Sequence, residues 1–426
     1  MKQWFARHFT GPDSVMGLRT NPKLCVLTEP MWSIPHALYI PFFVLYMHAL
    51  GLGDADIGIL ISVGIFLQMI MAFLGGVASD KFGRRLTTLI ADILAWSVPT
   101  ALWAMAQDFR WFLAAAVFNS VWRVSEVSWQ CLLVEDVEAE KIAKLYNWVY
   151  ISGLLAVFFA PLSVYFIGAF DLVAVMRFLL AFTCVSMTAK FIILYKYGTE
   201  TDQGRVRMAE TKDTPFLEIC GQCWGVLAQM FKSPATVRVL ALVTVLNIQQ
   251  IASNNFFALY VVYELGIEEQ WLALFPIMRT GVMLVFFLGV QNKLNRFPMY
   301  AIMLGGLVTF TAGHVLLLNI PQGQGLMLPM FVFTALDACA AALFLPRRDT
   351  LVILNVDPAE RARIMSLLIV IMLLLSSPFG YIFGLLSEYN RRIPYMLSIG
   401  LFVIMAGIVL LERGRGQPQA SQTPSG

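Results

Sequence analysis

The sequence predicts an all-α membrane protein with twelve transmembrane helices in two pseudo-symmetric six-helix bundles. Three observations predict this fold class, and the first is composition. Hydrophobic residues make up 58% of the 426 residues and charged residues only 13%, and the mean hydropathy is +0.72. Soluble proteins contain roughly 45–50% apolar and about 25% charged residues, and a soluble core could not bury so large an apolar share.

The second observation is the length of the apolar runs. Runs of about 20 residues, the length that a helix needs to cross a bilayer, recur along the chain. Such continuous hydrophobicity indicates helices, because the strands of a membrane barrel are shorter and alternate in polarity. The predicted spans, numbered 1 to 12, are residues 31–51 (with a lead-in that extends back to Leu24), 56–79, 85–106, 110–134, 144–168, 172–195, 237–263, 270–290, 298–319, 325–346, 364–386 and 393–411.

The third observation is the placement of the positive charges. Most of the 30 Lys and Arg residues fall in alternate loops, whereas the loops between them contain only Arg110, Arg391 and Arg392. Loops rich in Lys and Arg remain in the cytoplasm. The alternation therefore predicts an even number of spans, with both termini in the cytoplasm, and we expect a multi-pass protein of the cytoplasmic membrane.

The longest polar connection divides the spans six and six. Apolar residues recur at helical spacing from Phe216 to Phe231, which predicts an amphipathic helix on the inner membrane surface. The predicted organisation is an N-terminal bundle at residues 1–196, a cytoplasmic linker at 197–235, a C-terminal bundle at 236–411 and a disordered cytoplasmic tail at 412–426.

Composition and motifs also exclude several function classes. The net charge of +3 is too small to indicate nucleic-acid binding. Cys220 and Cys223 form a C-x-x-C pair, but no second pair or His lies nearby to complete a zinc site. No phosphate-binding loop, dinucleotide fingerprint or H-E-x-x-H motif is present, so neither ATP-driven transport nor metalloprotease activity is indicated. We therefore expect no cofactor, no bound metal and no enzymatic activity.

The connection between spans 2 and 3 carries the strongest motif. Residues 76–85 read GVASDKFGRR, which fits the pattern G-x-x-x-D-[RK]-x-G-[RK]-[RK] of the major facilitator superfamily. With its twelve spans and central linker, the chain resembles a member of this family over essentially its whole length. The resemblance implies two six-helix bundles that alternately open a cavity near the membrane midplane to either side.

The resemblance also implies that this connection is a cytoplasmic gate. Gly76 would allow close helix packing, and Gly83 would allow a tight turn. Asp80 would face the N-terminus of helix 11, where the helix dipole favours negative charge. The corresponding loop of the second half, residues 289–296, lacks the Asp and the second Gly, which predicts a weaker gate there.

Within the same motif, the resemblance implies that Arg84 pairs with an acid at the end of helix 4. Glu135 and Asp136 are the two candidates. The alternative interpretation is that Lys81, Arg84 and Arg85 only anchor the loop on the positive side of the membrane.

Arg123 and Glu126 lie deep inside span 4. Arg123 follows Trp111 by about 18 Å of helix, which places it near the middle of the bilayer. A spacing of three residues puts both side chains on one helix face, and charges at that depth need partners. Glu126 is a candidate proton or substrate-cation site, with Arg123 as its modulator or as an anion contact. The alternative is a structural pair that neutralises itself. The family's antiporters often carry R-x-x-Q-G here, and this chain has neither the Gln nor the Gly.

Two further ionisable residues also lie deep, Arg279 in span 8 and Asp337 in span 10. They are expected to pair with each other or with span 4, and we expect them to lie on a transport path. Asp92 in span 3 and His314 in span 9 are interpreted as local hydrogen-bonding residues.

His36 lies in span 1 between Pro35 and Pro41. Prolines free backbone carbonyl groups and bend helices, so span 1 is expected to curve around a cavity with His36 at its wall.

Span 7 contains six hydrogen-bonding side chains within nine residues. Asn247, Gln250 and Asn254 share one helix face, which favours a water-filled cavity; polar contacts between helices are the alternative. The segment partly resembles the QQ-x-S-G-x-N segment of the family's sugar porters, because Gln249, Gln250 and Asn255 match it in spacing.

The sequence therefore predicts a secondary active transporter of a small polar or amphipathic organic solute, coupled to protons and acting as a monomer in the lipid bilayer. An uncoupled facilitator or a sugar-porter-like carrier is the alternative, and a membrane sensor or enzyme is a remote one. The predicted pathway residues are His36, Arg123, Glu126, Asn247, Gln250, Asn254, Arg279 and Asp337. The predicted gate residues are Gly76, Asp80, Lys81, Gly83, Arg84, Arg85, Glu135 and Asp136.

Overall fold

The computed structural model describes residues 18–212, 233–294, 296–355 and 361–413. Over these ranges the chain is helical and contains no β-strand, as the predicted fold class requires. The chain divides into two compact units. The first consists of Met1–Gln222, Glu268–Ile277 and Ser377–Glu388, and the second of Cys223–Ile267, Met278–Ser376 and Tyr389–Gly426.

Six helices form most of the first unit. A short helix that the sequence patterns did not predict, Asp202–Thr211, follows them and is named the loop helix. The six are α1 (Thr20–Thr28, Pro30–Tyr39 and Phe43–Ala49), α2 (Asp54–Phe82), α3 (Arg84–Asp92 and Val98–Ala104, joined by a π-helical turn at Ile93–Ser97), α4 (Phe109–Asn119 and Trp122–Val134), α5 (Ala139–Val157 and Ala160–Ala169) and α6 (Leu172–Tyr197).

Prolines account for three of the breaks in these helices. Proline has no N–H to donate and displaces the carbonyl four residues before it. Pro41 lies in the 3₁₀ turn that interrupts α1, Pro99 follows the π-helical turn of α3, and Pro161 begins the second segment of α5. The break in α4 has another cause, since the Ser120 hydroxyl donates to the Val117 carbonyl at 2.6 Å, a contact that bends helices.

Six further helices follow the loop helix. Short turns flank some of them, including a 3₁₀ turn at Glu269–Ala273 before the second of the six. They are α7 (Pro234–Asn255), α8 (Leu274–Gly289), α9 (Met299–Leu318), α10 (Met327–Leu354), α11 (Arg361–Tyr389) and α12 (Ile393–Arg413).

Ten helical stretches among the described residues are long and apolar enough to cross a membrane. The breaks in α1 and α4 leave pieces shorter than the 18 residues that this count requires. The ten stretches and the two broken helices together are consistent with the twelve predicted spans.

Glycines allow a close helix contact in the first unit, at the end where α2 begins. A Cβ atom at Gly58 would lie 2.6 Å from the Gly380 carbonyl oxygen, so these backbones could not approach with larger residues. Two polar contacts flank them. The Ser387 hydroxyl donates to Asp54 at 2.7 Å, and the Tyr381 N–H donates to the Ser62 hydroxyl at 2.7 Å.

The second unit is held by a large apolar core. Buried side chains of α7, α9, α10, α11 and α12 form one cluster, in which Phe310 stacks on Phe402 with ring centres 5.1 Å apart. The tail predicted at 412–426 begins too early, because α12 continues to Arg413 and Glu412 is buried. The rest of that tail and the predicted amphipathic helix from Phe216 to Phe231 lie outside the described residues.

Candidate functional site

The motif at residues 76–85 forms the turn between α2 and α3, and the end of the first unit where it lies is named the motif end. Gly83 has φ of +83°, and a Cβ atom there would lie 2.6 Å from a Glu200 carboxylate oxygen. The positive φ requires glycine, because residues with a Cβ rarely adopt it. A Cβ there would also push the Glu200 carboxylate aside.

The close packing expected at Gly76 is found one residue earlier. Gly76 is exposed, and nothing lies within 4 Å of the position that its Cβ would take. A Cβ at Gly75 would instead lie 3.2 Å from the Arg123 carbonyl oxygen of α4. Successive residues of a helix point about 100° apart, so only Gly75 faces α4, and the role assigned to Gly76 is corrected.

Arg84 is the centre of the motif turn. Its side chain is 5% exposed. Nη1 donates to Asp80 at 2.7 Å and to the Ser79 carbonyl at 2.9 Å, while Nε and Nη2 donate to Glu135 at 3.1–3.3 Å. Every nitrogen of the guanidinium therefore has a partner, and Glu135 is the acid at the end of α4 that it contacts.

The remaining motif residues make different contacts. Asp136 accepts a hydrogen bond from the Asn21 side chain at 3.2 Å rather than from Arg84. Arg85 donates to the Tyr195 carbonyl at 2.7 Å, and its guanidinium lies 4.2 Å from the centre of the Tyr195 ring. Lys81 is half-buried.

The loop helix and Glu200, two positions before it, add contacts that the sequence patterns did not predict. The Glu200 carboxylate accepts hydrogen bonds from the backbone N–H groups of Arg84 at 2.8 Å and Arg85 at 3.0 Å, which satisfies the first free donors of α3. Arg207 donates to Asp80 at 2.9 Å, and this hydrogen bond raises the pKa of Arg207. No motif in the sequence pointed to these two residues.

Arg123 and Glu126 of α4 form an ion pair with an Nη1–Oε2 distance of 3.0 Å. The side chains are 17% and 37% exposed. The Arg123 guanidinium lies 3.9 Å from the centre of the Trp122 ring, and its buried Nε has no hydrogen-bond partner among the described residues. The pair is thus formed but is neither fully buried nor fully hydrogen-bonded.

His36 lies within an aromatic cluster on α1 and α3. Its ring stacks on Trp32 with ring centres 4.9 Å apart, and it meets the edges of Tyr39 and Trp96 at 5.4 Å and 6.3 Å. Trp32, His36 and Trp96 are only half-buried. This arrangement presents flat apolar rings and one imidazole to the same region of the first unit.

Three ionisable side chains lie together in the first unit, and we name Glu29, Asp92 and Lys190 the buried triad. Lys190 Nζ and Glu29 Oε2 are 2.9 Å apart, and all three residues are buried. Lys190 and Glu29 are the charged groups that act on Asp92. Ser125 of the neighbouring α4 is a hydrogen-bonding partner of Asp92, in accord with the hydrogen-bonding role expected of this residue. The missed signal was a Lys inside predicted span 6 and a Glu in the lead-in to span 1, since charges within spans are rare.

The polar residues of α7 divide into two groups. Gln249 is buried and donates to the Ser253 hydroxyl at 2.7 Å, and Asn255 donates to the Ile251 carbonyl at 2.9 Å. Asn247 and Gln250 are half-buried and Asn254 is exposed. The face predicted to line a cavity is therefore the more accessible one.

In the second unit Arg279 of α8 and Asp337 of α10 form an ion pair with an Nε–Oδ2 distance of 2.8 Å. Both side chains are only partly buried. This is one of the two pairings that the sequence analysis offered. His314 is buried on α9, where its Nδ1 lies 3.0 Å from the Phe310 carbonyl oxygen.

These residues form two kinds of site. The motif end contains a dense network of ion pairs that joins Arg84, Asp80, Glu135 and Arg207, which suits a structural latch. The pairs on α4 and between α8 and α10 are partly exposed, which suits groups that exchange partners with a solute. Among the described residues, no cluster of three or more His, Cys, Asp or Glu side chains is arranged to hold a metal ion.

Residues 33–368 match the family model of the Major Facilitator Superfamily. The "Quinolone resistance protein NorA" of Staphylococcus aureus (strain MRSA252) is 29% identical over 118 residues, which cover 28% of this chain and 30% of that protein. The "Uncharacterized MFS-type transporter YqjV" of Bacillus subtilis (strain 168) is 28% identical over 133 residues, which cover 30% of this chain and 32% of that protein. The matched regions thus span about a third of the length of these curated relatives.

Solved structures resemble the chain over nearly its full length. The nucleoside transporter NupG superposes with a TM-score of 0.69 at 14% identity, over 92% of this chain and 99% of that chain. The peptide transporter POT in complex with sulfate superposes with a TM-score of 0.70 at 15% identity, over 97% of this chain and 98% of that chain. At this level of identity the likeness concerns the fold alone.

Proposed function

The chain belongs to the Major Facilitator Superfamily, and from this membership we propose that it is a secondary active transporter of a small polar or amphipathic organic solute, driven by protons. It is an integral, multi-pass membrane protein. The proposal places it in the cytoplasmic membrane as a monomer with both termini in the cytoplasm, in accord with the charge distribution of the loops.

The observation that carries this proposal is the presence of partly exposed ion pairs inside apolar helices. Placing one charged side chain in the hydrocarbon core costs roughly 2.5–3.5 kcal/mol on insertion scales. Each such charge must therefore be neutralised by a partner or reached by water. Arg123–Glu126 and Arg279–Asp337 are paired yet still accessible. Such pairs suit an aqueous path in which a solute or a proton displaces one partner.

The side chains around the proposed path indicate the chemistry of the solute. Asn247, Gln250 and Asn254 offer hydrogen bonds, and the half-buried rings of Trp32 and His36 offer apolar stacking. A solute with both polar groups and a flat apolar part matches this combination. The names of the relatives and structural neighbours suggest the first probes, namely a quinolone, a nucleoside and a short peptide such as a dipeptide.

Glu126 is the proposed proton-exchanging group of this path. Its carboxylate is accessible and lies beside a guanidinium, so it can change its charge when its partner moves. Asp80, Gly83 and Arg84 would act at the gate, because their network must rearrange if α2 moves relative to its neighbours.

The test has two stages. A thermal-shift screen of the purified protein with the three probes, sugars, amino acids and organic acids first finds a binder, because a ligand raises the apparent melting temperature by mass action. The flux of that binder into proteoliposomes is then measured with and without an imposed pH gradient. We expect the gradient to drive accumulation in the wild type and to lose that effect in Glu126→Gln.

The matched control is Arg110→Gln, a substitution of an exposed residue at the far end of α4. The control should behave like the wild type. If the wild type equilibrates the solute but ignores the gradient, the protein is an uncoupled facilitator and the proton-driven proposal is wrong. If Glu126→Gln responds to the gradient as the wild type does, Glu126 is not the coupling group.

A further inference from the structure

Three arginines of the first unit bind a carboxylate through Nη1 in the same way. The three pairs, with their N–O distances, are Arg84–Asp80 at 2.7 Å, Arg207–Glu210 at 2.8 Å and Arg123–Glu126 at 3.0 Å. A guanidinium has five N–H donors, so this contact leaves most donors of each arginine for other acceptors. The three arginines differ in what those remaining donors contact.

The edge of the guanidinium formed by Nε and Nη2 binds a second carboxylate in two of the three. In Arg84 this edge donates to Glu135 at 3.1–3.3 Å. In Arg207 it donates to Asp80, at 2.9 Å from Nη2 and 3.3 Å from Nε. The two N–H groups of this edge are parallel, which matches the geometry of a carboxylate. A carboxylate is therefore the acceptor that this edge binds in both arginines.

In Arg123 the same edge has no acceptor within the part of the chain that the structure describes. Nη1 donates to Glu126, whereas neither Nε nor Nη2 donates a hydrogen bond, and Nε is buried. Burying a charged N–H group without an acceptor is unfavourable, and a ligand that supplies the acceptor removes that cost. The Arg123 side chain is still 17% exposed, so a ligand can reach the guanidinium.

Neighbouring residues hold the Arg123 guanidinium in place without using this edge. Its central carbon lies 3.9 Å from the centre of the Trp122 ring. An aromatic ring attracts the guanidinium through its face, which leaves the N–H groups in the plane free to donate. The main chain is constrained by α2, because even a Cβ at Gly75 would lie 3.2 Å from the Arg123 carbonyl oxygen. Arg123 is therefore preorganised to bind an acceptor.

The charge of the Arg123–Glu126 pair restricts the charge of that acceptor. The ionised pair is neutral, so a monoanion adds one excess negative charge and a dianion adds two. Water can screen the excess at Glu126, whose side chain is 37% exposed. A cationic ligand would instead compete with Arg123 for Glu126. The arrangement therefore favours a ligand with a single negative charge.

We propose that Arg123 recognises a carboxylate group of the solute, so that the solute is an organic monocarboxylate. The carboxylate accepts hydrogen bonds from Nε and Nη2 of Arg123, as Glu135 does from Arg84, while Glu126 remains on Nη1. That the bound carboxylate is also transported rests on the proposed function, whereas its binding to Arg123 does not.

The test is the binding of matched probes to the full-length protein in detergent. Acetate, benzoate and 2-naphthoate are each compared with the neutral amide of the same acid, so that the members of a pair differ mainly in charge. We expect at least one carboxylate to raise the apparent melting temperature more than its amide does. Calorimetric titration then gives the dissociation constant of that carboxylate. If none of the carboxylates exceeds its amide, the proposal is overturned.

Two variants are expected to change this affinity in opposite directions. Arg123→Lys keeps the positive charge but removes the parallel N–H groups, so the dissociation constant should rise about tenfold or more. Glu126→Gln removes the neighbouring negative charge, so the carboxylate should bind more tightly. Arg110→Gln, at an exposed position, is the control and should bind like the wild type.

Unchanged affinity in Arg123→Lys, or weaker binding in Glu126→Gln, would overturn the proposal. The melting temperature of each variant without ligand shows whether it is folded. If Arg123→Lys does not fold, the tighter binding expected of Glu126→Gln still decides the question.

Flux measurements separate this proposal from the broader one. If a carboxylate binds through Arg123 but enters proteoliposomes no faster than empty liposomes, carboxylate binding stands and the proposed transport fails. If the solute found in the thermal-shift screen has no carboxylate and its flux is unchanged in Arg123→Lys, transport stands and carboxylate recognition by Arg123 fails.

Discussion

Two arginines of the first unit differ in how completely they are bound. Arg84 at the motif end is 5% exposed, and each of its side-chain nitrogens donates to Asp80, Glu135 or the Ser79 carbonyl. Arg123, in the middle of α4, has a single charged partner and a Trp122 ring, and its buried Nε has no hydrogen-bond partner among the described residues.

The difference separates a structural charge from an exchangeable one. Breaking a buried ion pair is costly because the partner charge is left in a poor environment. Replacing an exposed partner costs little because water takes its place. Arg84 is therefore a structural charge. The pair of Arg123 with Glu126, whose side chain is 37% exposed, is an exchangeable one.

The largest effect is expected for Arg84→Gln. The substitution leaves Glu135 without its counter-charge and Asp80 with Arg207 alone, and we expect the free energy of unfolding to fall by about 3–5 kcal/mol. Denaturant titration of the purified protein in detergent measures this change. Arg110→Gln at an exposed position is the control, and a loss of similar size there would remove the contrast between the two classes.

The next effect concerns the backbone at Arg123, which Gly75 contacts closely. A Leu at position 75 must displace the Arg123 carbonyl, since even a Cβ would lie 3.2 Å from its oxygen. We expect Gly75→Leu to lower the free energy of unfolding by about 1–3 kcal/mol, the usual cost of overpacking. Thermal unfolding in detergent measures it.

Gly76→Leu is the matched control for this prediction, because open space surrounds its Cβ position. It should leave the melting temperature near that of the wild type. Equal losses at both positions would show that α2 does not pack on α4 through one face, and the backbone of Arg123 would then not be fixed.

The smallest effect on stability is expected for Glu126→Gln. The pair with Arg123 is partly exposed and is flanked by the Trp122 ring, so the change should be below about 1 kcal/mol. The same denaturant titration measures it beside Arg84→Gln. A loss as large as that of Arg84→Gln would make Arg123–Glu126 a structural pair and would weaken its proposed role in transport.

Much of the motif end followed from sequence pattern. The motif at residues 76–85 specified the turn and the need for glycine at Gly83, and it reduced the partner of Arg84 to Glu135 or Asp136. Local spacing carries this information, because the residues belong to one turn. The choice of Glu135 depended on the docking of α4, and the Arg207 contact depended on a helix that no periodic pattern indicated.

The buried triad shows the opposite case. Glu29, Asp92 and Lys190 lie on three helices and are separated by 63 to 161 positions in the chain, so no spacing rule links them. Each could be recognised alone as a rare charge within or beside an apolar run. The contact between Glu29 and Lys190 appears only when α1 and α6 are packed together.

The sequence by itself determined that this chain is helical, that it crosses a membrane many times and that it carries the motif of its family, because hydrophobic length and local spacing are properties of consecutive residues. The tertiary structure alone decided which charges are satisfied and which are not, because side-chain neutralisation is set by neighbours that are distant in the chain. The contrast between Arg84 and Arg123 depends on such neighbours, and so does the pairing of Glu29 with Lys190.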